Sequence, residues 1–152
     1  MRAIKLLAER TDLVGVSHVF RTTPVGAPTS PMFLNAAAKI RFVGSPQTLK
    51  FDLLRPIENE LGRVRTPDLN APRTIDIDIS IFGRLVVADQ EGNIVLPAPE
   101  ILTLAHVVLP LADLAPGSIH PETGETLEVL AARFRGVDGV ERMETPVLGI
   151  GR

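Results

Sequence analysis

The fold is decided by the stretch Arg73-Thr74-Ile75-Asp76-Ile77-Asp78-Ile79-Ser80-Ile81-Phe82-Gly83. Isoleucine occupies every second position of its central part, and polar residues stand between. This alternation predicts a β-strand with one buried face, and it places the two aspartates on the other face, about 6–7 Å apart. Carboxylates that close repel each other unless a cation neutralises them, and Mg²⁺ takes such oxygens together with phosphate oxygens. The stretch therefore indicates either a metal-and-polyphosphate site or an ordinary polar strand face.

The composition limits the class of protein. A chain of 152 residues can bury one core, and no apolar run is long enough to span a bilayer. The absence of cysteine excludes disulfides and thiolate chemistry, which fits a cytoplasmic protein. The net charge of −2 argues against a general nucleic-acid surface. We therefore expect no nucleic-acid partner and no membrane.

Periodicity and turn signals predict the remaining elements. Helices are expected over residues 1–10, 45–61, 105–114 and 127–134, and strands over residues 13–22, 33–43 and 84–88. Ser45-Pro46 is typical of a helix start, and Pro56 should kink the helix that follows. The order of elements predicts helices packed on a mixed sheet.

Several motifs accompany the aspartates. Gly62-Arg63-Val64-Arg65 precedes them, Ile57-Glu58 lies ahead of these arginines, and Pro72-Arg73-Thr74 leads into the aspartates. The others are Phe20-Arg21-Thr22-Thr23-Pro24-Val25-Gly26, Phe33-Leu34-Asn35-Ala36 and Leu109-Pro110-Leu111-Ala112-Asp113-Leu114-Ala115-Pro116. In this combination, the sequence resembles the 6-hydroxymethyl-7,8-dihydropterin pyrophosphokinase family over about residues 1–135. Residues 136–152 would form a tail of uncertain structure.

The resemblance implies an activity and a fold. Members of the family transfer diphosphate from ATP to the hydroxymethyl group of a reduced pterin, with two Mg²⁺ ions, and release AMP for folate synthesis. The implied fold is α+β, with a ferredoxin-like mixed or antiparallel sheet and flanking helices. The implied partners are ATP and the pterin, and a homodimer stays open.

The resemblance also implies roles for individual residues. Two carboxylates would hold the metal ions, namely Asp76 and Asp78. Phosphate-binding cations would be Arg63, Arg65 and Arg73. Further contacts to ATP would come from Glu58, Arg73 and Ile79. The pterin would contact Thr22, Pro24, Val25, Phe33, Asn35 and His106, although Phe33 would serve equally well as a core residue.

The sequence departs from the family pattern at several positions. The family begins with a strand and a Gly-Ser-Asn loop that do not precede Met1, which suggests a start codon placed too far downstream. Ala98 and Leu104 stand where the family has a histidine and an arginine that touch ATP. His106 and Asn70 each replace an aromatic residue. Two alternatives therefore stay open: a degenerate, non-catalytic pterin- or nucleotide-binding protein of the same fold, and a small regulatory module.

Overall fold

The computed structural model of the protein describes residues 2–23, 31–67, 74–88, 91 and 93–144. Its helices are α1 (Arg2–Arg10), α2 (Pro46–Thr48), α3 (Arg55–Glu60), α4 (Ala105–Leu114) and α5 (Leu127–Ala132), with a π-helical segment (Leu49–Leu54) and a 3₁₀ turn (Pro99–Leu102). Its strands are β1 (Asp12–Val16), β2 (Phe20–Thr22), β3 (Phe33–Asn35), β4 (Ala38–Arg41), β5 (Val87–Ala88), β6 (Val95–Leu96) and β7 (Val140–Arg142). The predicted α+β class is confirmed. No helix in these ranges has the length and apolar character needed to cross a membrane.

The described strands form three small antiparallel sheets, with the orders β1-β4, β3-β2-β7 and β5-β6. The two long strands predicted over residues 13–22 and 33–43 are each divided in two. The breaks in the two strands lie opposite each other, at Ser17 and Ala37. The buried hydroxyl of Ser17 accepts a hydrogen bond from the N–H of Ala37 at 2.8 Å. The N–H of Ser17 in turn donates to the carbonyl of Ala37 at 2.9 Å. A side chain thus interrupts the ladder, and β1-β4 separates from β2-β3.

The prediction of a β-strand over residues 75–81 is wrong. This segment, called the aspartate segment below, belongs to no helix and to no strand. A strand needs a neighbouring strand to bond its backbone, and no described strand pairs with it. Its backbone groups are bonded by other means. For example, the Ser80 carbonyl accepts from the N–H of Ala98 at 2.8 Å.

The predicted alternation of buried and exposed positions nevertheless holds in the aspartate segment. Asp76 and Asp78 are exposed, whereas Ile75, Ile77 and Ile79 between and beside them are partly buried. Ile77 and Ile79 pack against a core cluster made by α1 and the helix that runs from residue 46 to 60. The cluster is Leu7, Leu49, Leu54 and Ile57. Burial of these isoleucines holds the segment against that helix, because removing apolar surface from water is favourable. A second cluster joins α4 to α5.

The helix from residue 46 to 60, called the composite helix below, combines α2, the π-helical segment and α3. It begins as predicted: the Ser45 hydroxyl accepts from the N–H of Thr48 at 3.0 Å, with Pro46 in the first turn. Pro56 lacks an N–H, and its ring clashes with a carbonyl one turn earlier in a regular α-helix. The preceding turn is widened, since the N–H of Arg55 bonds to the carbonyl of Lys50. The predicted disturbance at Pro56 is therefore a π-helical segment.

Candidate active site

A polar cavity of about 140 Å³ lies between the composite helix and the aspartate segment. Its walls carry charges of both signs. The cations are Lys50, Arg55, Arg63 and Arg65, and the carboxylates are Glu58, Asp76 and Asp78. The remaining lining residues are Leu54 and Ile77. Five of the predicted site residues thus meet at one place, although they come from three separate stretches of sequence.

Glu58 fixes the aspartate segment to the helix. Its side chain is 3% exposed, and its carboxylate accepts a hydrogen bond from the N–H of Ile77 at 2.7 Å. The same carboxylate pairs with the guanidinium of Arg65, which also donates to the side-chain oxygen of Asn59 at 2.9 Å. A buried carboxylate with charged and backbone donors is satisfied in place. Glu58 is therefore part of the cavity wall and directs its bonds toward the protein.

Arg63 provides a second connection to the aspartate segment. Its guanidinium donates to the carbonyl of Ile75 at 2.7 Å and lies 3.5 Å from the carboxylate of Asp76. The Arg63 side chain is 12% exposed, so it is not a solvated loop residue. The chain leaves the composite helix at Gly62, just before Arg63. The φ of Gly62 is +87°, a conformation that suits a residue without a side chain. Arg63 thus holds both the backbone and one carboxylate of the segment.

Asp78 has an unfavourable environment for a second negative charge. Although part of its side chain is exposed, the surrounding protein partly buries the carboxyl, which raises its pKa above the usual value; the charge of Asp76 raises the pKa further. Lys50 acts in the opposite direction and lowers the Asp78 pKa, but the net shift is upward. A cation bound between the two carboxylates would remove this repulsion.

The donor set suits Mg²⁺ that shares its ligands with a substrate. In the described part of the chain, no group of three or more histidine, cysteine or carboxylate side chains is placed to hold a metal ion alone. Asp76 and Asp78 supply hard oxygen ligands at the cavity wall. Mg²⁺ is usually bound by one or two carboxylates together with substrate phosphates and water. The two aspartates therefore fit an ion that arrives with a polyphosphate.

Three of the predicted pterin-binding residues lie on the sheet β3-β2-β7, namely Thr22, Phe33 and Asn35. The side-chain amide of Asn35 donates to the hydroxyl of Thr22 at 2.9 Å across β2 and β3. Phe33 is the register partner of Thr22 and is 58% exposed, which excludes its alternative role as a core residue. Pro24 and Val25 lie outside the described residues, as does the predicted phosphate-binding Arg73.

His106 lies on α4, which packs against β2 and β3. Its side chain is partly buried, and this burial lowers the pKa of the imidazole. The ring is therefore neutral at pH 7, and it can present an uncharged face to a heterocycle. Ile79, predicted to contact ATP, packs toward the core cluster of α1 and the composite helix.

Two charged residues of the cavity were not found from the sequence. Lys50 and Arg55 line the same cavity as the aspartates, yet neither belongs to the motifs that indicated the site. The one available signal was Pro56, because a proline inside a helical pattern indicates a local departure from α-helical geometry. That signal gives the position of the irregularity but not the direction in which the two cations point.

Comparison with known proteins identifies the family. A model of the 7,8-dihydro-6-hydroxymethylpterin-pyrophosphokinase (HPPK) family matches residues 1–116, which include the whole cavity and the strands that carry Thr22 and Asn35. The chain belongs to the HPPK family. Members of this family are ATP-dependent pyrophosphokinases that use Mg²⁺, and the family predicted from the sequence is confirmed.

Individual HPPK relatives support this assignment. The chain is 38% identical over 130 residues to the 2-amino-4-hydroxy-6-hydroxymethyldihydropteridine pyrophosphokinase of Pseudomonas aeruginosa, covering 84% of this chain and 77% of that protein. It is 33% identical over 123 residues to the protein of that name from Haemophilus influenzae, covering 81% and 74%. It is 32% identical over 120 residues to a folic acid synthesis protein of Pneumocystis carinii, covering 79% of this chain but only 16% of that longer protein.

Proposed function

We propose that this chain transfers diphosphate from ATP to the hydroxymethyl group of 6-hydroxymethyl-7,8-dihydropterin, with release of AMP, in folate biosynthesis. The observation that carries the proposal is the cavity in which Asp76 and Asp78 stand beside Arg63 and Arg65. Membership of the HPPK family supplies the reaction, and the cavity supplies the charges that such a reaction needs. A cytoplasmic location and a catalytic domain spanning residues 1–135 are parts of the same proposal.

Asp76 and Asp78 would hold two magnesium ions in the proposed site. Such ions would supply charge neutralisation for the polyphosphate. The carboxylates need to be held in place before the substrate arrives, since phosphoryl transfer depends mainly on positioning and charge stabilisation. Arg63 and Glu58 do this through their bonds to Ile75, Asp76 and Ile77.

The arginines divide this work. Arg63 is bonded to the aspartate segment and orients Asp76, whereas Arg65 keeps part of its guanidinium exposed beside the cavity. In our proposal, Arg65 and Arg73 bind phosphate oxygens, for which the planar guanidinium is well suited. We also propose that the nucleotide contacts Glu58 in the cavity wall and Ile79 farther along the aspartate segment.

The pterin would bind at the sheet that carries Thr22 and Asn35. An asparagine amide offers both a donor and an acceptor, which matches the edge of a pterin ring. Its bond to Thr22 fixes the amide and so prepares it for the ring. We further propose that the exposed ring of Phe33 and the neutral ring of His106 cover the pterin faces, with Pro24 and Val25 at the rim.

The test is a reaction of the purified chain with Mg·ATP and 6-hydroxymethyl-7,8-dihydropterin, with AMP and the diphosphorylated pterin measured together. We expect equal amounts of both products, and no AMP when the pterin is omitted. A cooperatively folded sample that forms no AMP would contradict the proposal. Ala98 and Leu104 favour the alternative of a non-catalytic binder, which predicts calorimetric binding of both substrates without AMP.

A further inference from the structure

Two cations in the cavity are not used by the interactions that hold its walls. Arg63 pairs with Asp76 and Arg65 pairs with Glu58, so these arginines are partly neutralised. Lys50 and Arg55 line the same cavity, and neither is joined to a carboxylate by a salt bridge among the described residues.

The π-helical segment explains why both cations face the cavity. Five residues along a regular α-helix advance by about 500°, which would place Lys50 and Arg55 about 140° apart around the axis. In a π-helix, a residue bonds to the fifth residue before it, so residues five apart lie close to one above the other. The N–H of Arg55 makes this bond to the carbonyl of Lys50. The irregular turn therefore aligns two side chains that an α-helix would separate.

The side chain of Arg55 makes no hydrogen bond and no salt bridge within the described ranges. Its guanidinium carbon lies 4.3 Å from the centre of the Phe51 ring, so the ring covers one face of the group. Stacking of this kind orients the guanidinium but uses none of its in-plane N–H groups. The Nε atom of Arg55 is buried and has no hydrogen-bond partner among the described residues. A buried donor without a partner is costly to the folded state. Because Nε is enclosed, only the terminal nitrogens of the guanidinium are candidates for contact with a ligand in the cavity.

Lys50 likewise has donors to spare. Its ammonium donates to the backbone carbonyl of Asn93 at 2.8 Å, which fixes its direction but leaves its charge unneutralised. An ammonium has three donors, and only this bond is made within the described ranges. The Lys50 charge also reaches Asp78, where it opposes the repulsion from Asp76. Lys50 thus stands beside the carboxylate at which a metal-bound polyphosphate would lie.

The geometry points to Lys50 and Arg55 as a phosphate-binding pair that the π-helical segment aligns on one wall of the cavity. Their ligand class is the polyphosphate chain of a magnesium nucleoside triphosphate. This inference rests on the proposed function, since it assigns two additional cations to the same substrate.

The test measures binding of magnesium tripolyphosphate by calorimetry, because this probe carries the phosphate chain without a base. Lys50→Gln keeps a donor for the Asn93 carbonyl but removes the charge, and Arg55→Gln removes the guanidinium. We expect each change to weaken tripolyphosphate binding by about tenfold or more, since hydrogen bonds between charged groups contribute on the order of tenfold to a hundredfold. Binding of the pterin alone should not change.

Matched controls are Lys5→Gln and Arg84→Gln, which remove exposed cations that do not line the cavity. Their tripolyphosphate affinity should equal that of the parent chain.

The parent affinity should also fall more steeply with added NaCl than that of Lys50→Gln, because one screened attraction is missing in the variant. Arg55→Lys retains a charge and should lose less affinity than Arg55→Gln.

Three outcomes would overturn the inference. One is an affinity of Lys50→Gln and Arg55→Gln equal to that of the controls. Another is an equal loss of pterin and tripolyphosphate binding, which indicates a structural role. The third is AMP formation by the parent chain with unchanged affinity for Mg·ATP in both variants; this rejects the phosphate-binding pair and leaves the proposed function intact. Absence of AMP with folded parent chain would instead reject the proposed function itself.

Discussion

The buried carboxylate of Glu58 accepts a hydrogen bond from the backbone N–H of Ile77, with 2.7 Å between Oε1 and the nitrogen. Ile77 lies between the two aspartates, so this bond connects the composite helix directly to the proposed metal ligands. Ile77 also packs into the core cluster of that helix. The position of both carboxylates thus depends on one helix.

We expect Glu58→Ala to destabilise the protein by about 3 kcal/mol, because it leaves the Ile77 N–H and the Arg65 guanidinium without their buried acceptor. Urea unfolding monitored by circular dichroism measures this change. Glu60→Ala is the matched control, since it removes only an exposed ion pair with Arg10 and should cost less than about 1 kcal/mol. An equal loss of unfolding free energy in the two variants would show that the bond to Ile77 contributes no more than an exposed ion pair.

Asp76→Asn and Asp78→Asn should each lower kcat by roughly a thousandfold, since losing a metal ligand removes several kcal/mol of charge stabilisation in the transition state. The rate of AMP release at saturating substrates is the measurement. Asp138→Asn changes an exposed aspartate outside the cavity and should leave kcat unaltered. Full activity in either cavity variant would exclude that carboxylate as a metal ligand.

Asp78→Asn should also raise the melting temperature at pH 7 in the absence of metal. Burial, followed by the charge of Asp76, raises the pKa of Asp78 in the folded protein. The stability contributed by its neutral form is complete below the ordinary pKa of 3.8 and is lost as pH rises through the higher folded pKa. The difference between variant and parent should therefore vanish near pH 3. A variant that melts lower than the parent at pH 7 would contradict this account.

Asn35→Ala should raise KM for the pterin by roughly tenfold, because it removes the amide that would bond the heterocycle edge. The KM for ATP should stay unchanged, since Asn35 lies on β3 and does not line the charged cavity. Initial rates with each substrate varied in turn separate the two constants. A rise in KM for ATP alone would show that Asn35 acts on ATP binding and not on pterin binding.

Asp113→Asn should destabilise the protein at neutral pH and have little effect in strong acid. Burial would raise the pKa of Asp113, but hydrogen bonds from the N–H and ring of His18, together with the charge of Arg142, outweigh it and lower the pKa. This stability is present above the ordinary pKa of 3.8 and is lost as pH falls through the lower folded pKa.

Thermal melts from pH 7 to pH 2 give the test of the Asp113 prediction. The gap between parent and variant should be widest at pH 7 and should close as the pH falls below 3.8. A gap that stays constant over the whole range would mean that the Asp113 charge contributes nothing. His18 adjoins β2, and Arg142 ends β7, so the same variant tests how firmly β7 is held against β2.

Local signals in the sequence predicted the helices well. The predicted start at Ser45-Pro46 is confirmed, as is the helix over residues 105–114 despite Pro110. The strands were predicted less well, because each predicted strand was treated as continuous. The bonds between Ser17 and Ala37 that divide them join residues 20 apart in the chain, and no local pattern shows such a pairing.

The sequence by itself determined the family, the α+β class and the alternation that turns isoleucines inward and aspartates outward. Each of these follows from motifs or from the period of neighbouring residues, which are local properties of the chain. Only the tertiary structure decided that Glu58 bonds to Ile77 and that Lys50 and Arg55 face the same cavity as the aspartates. Such partners are chosen by packing and by the need to satisfy buried polar groups, and both depend on segments far apart in sequence.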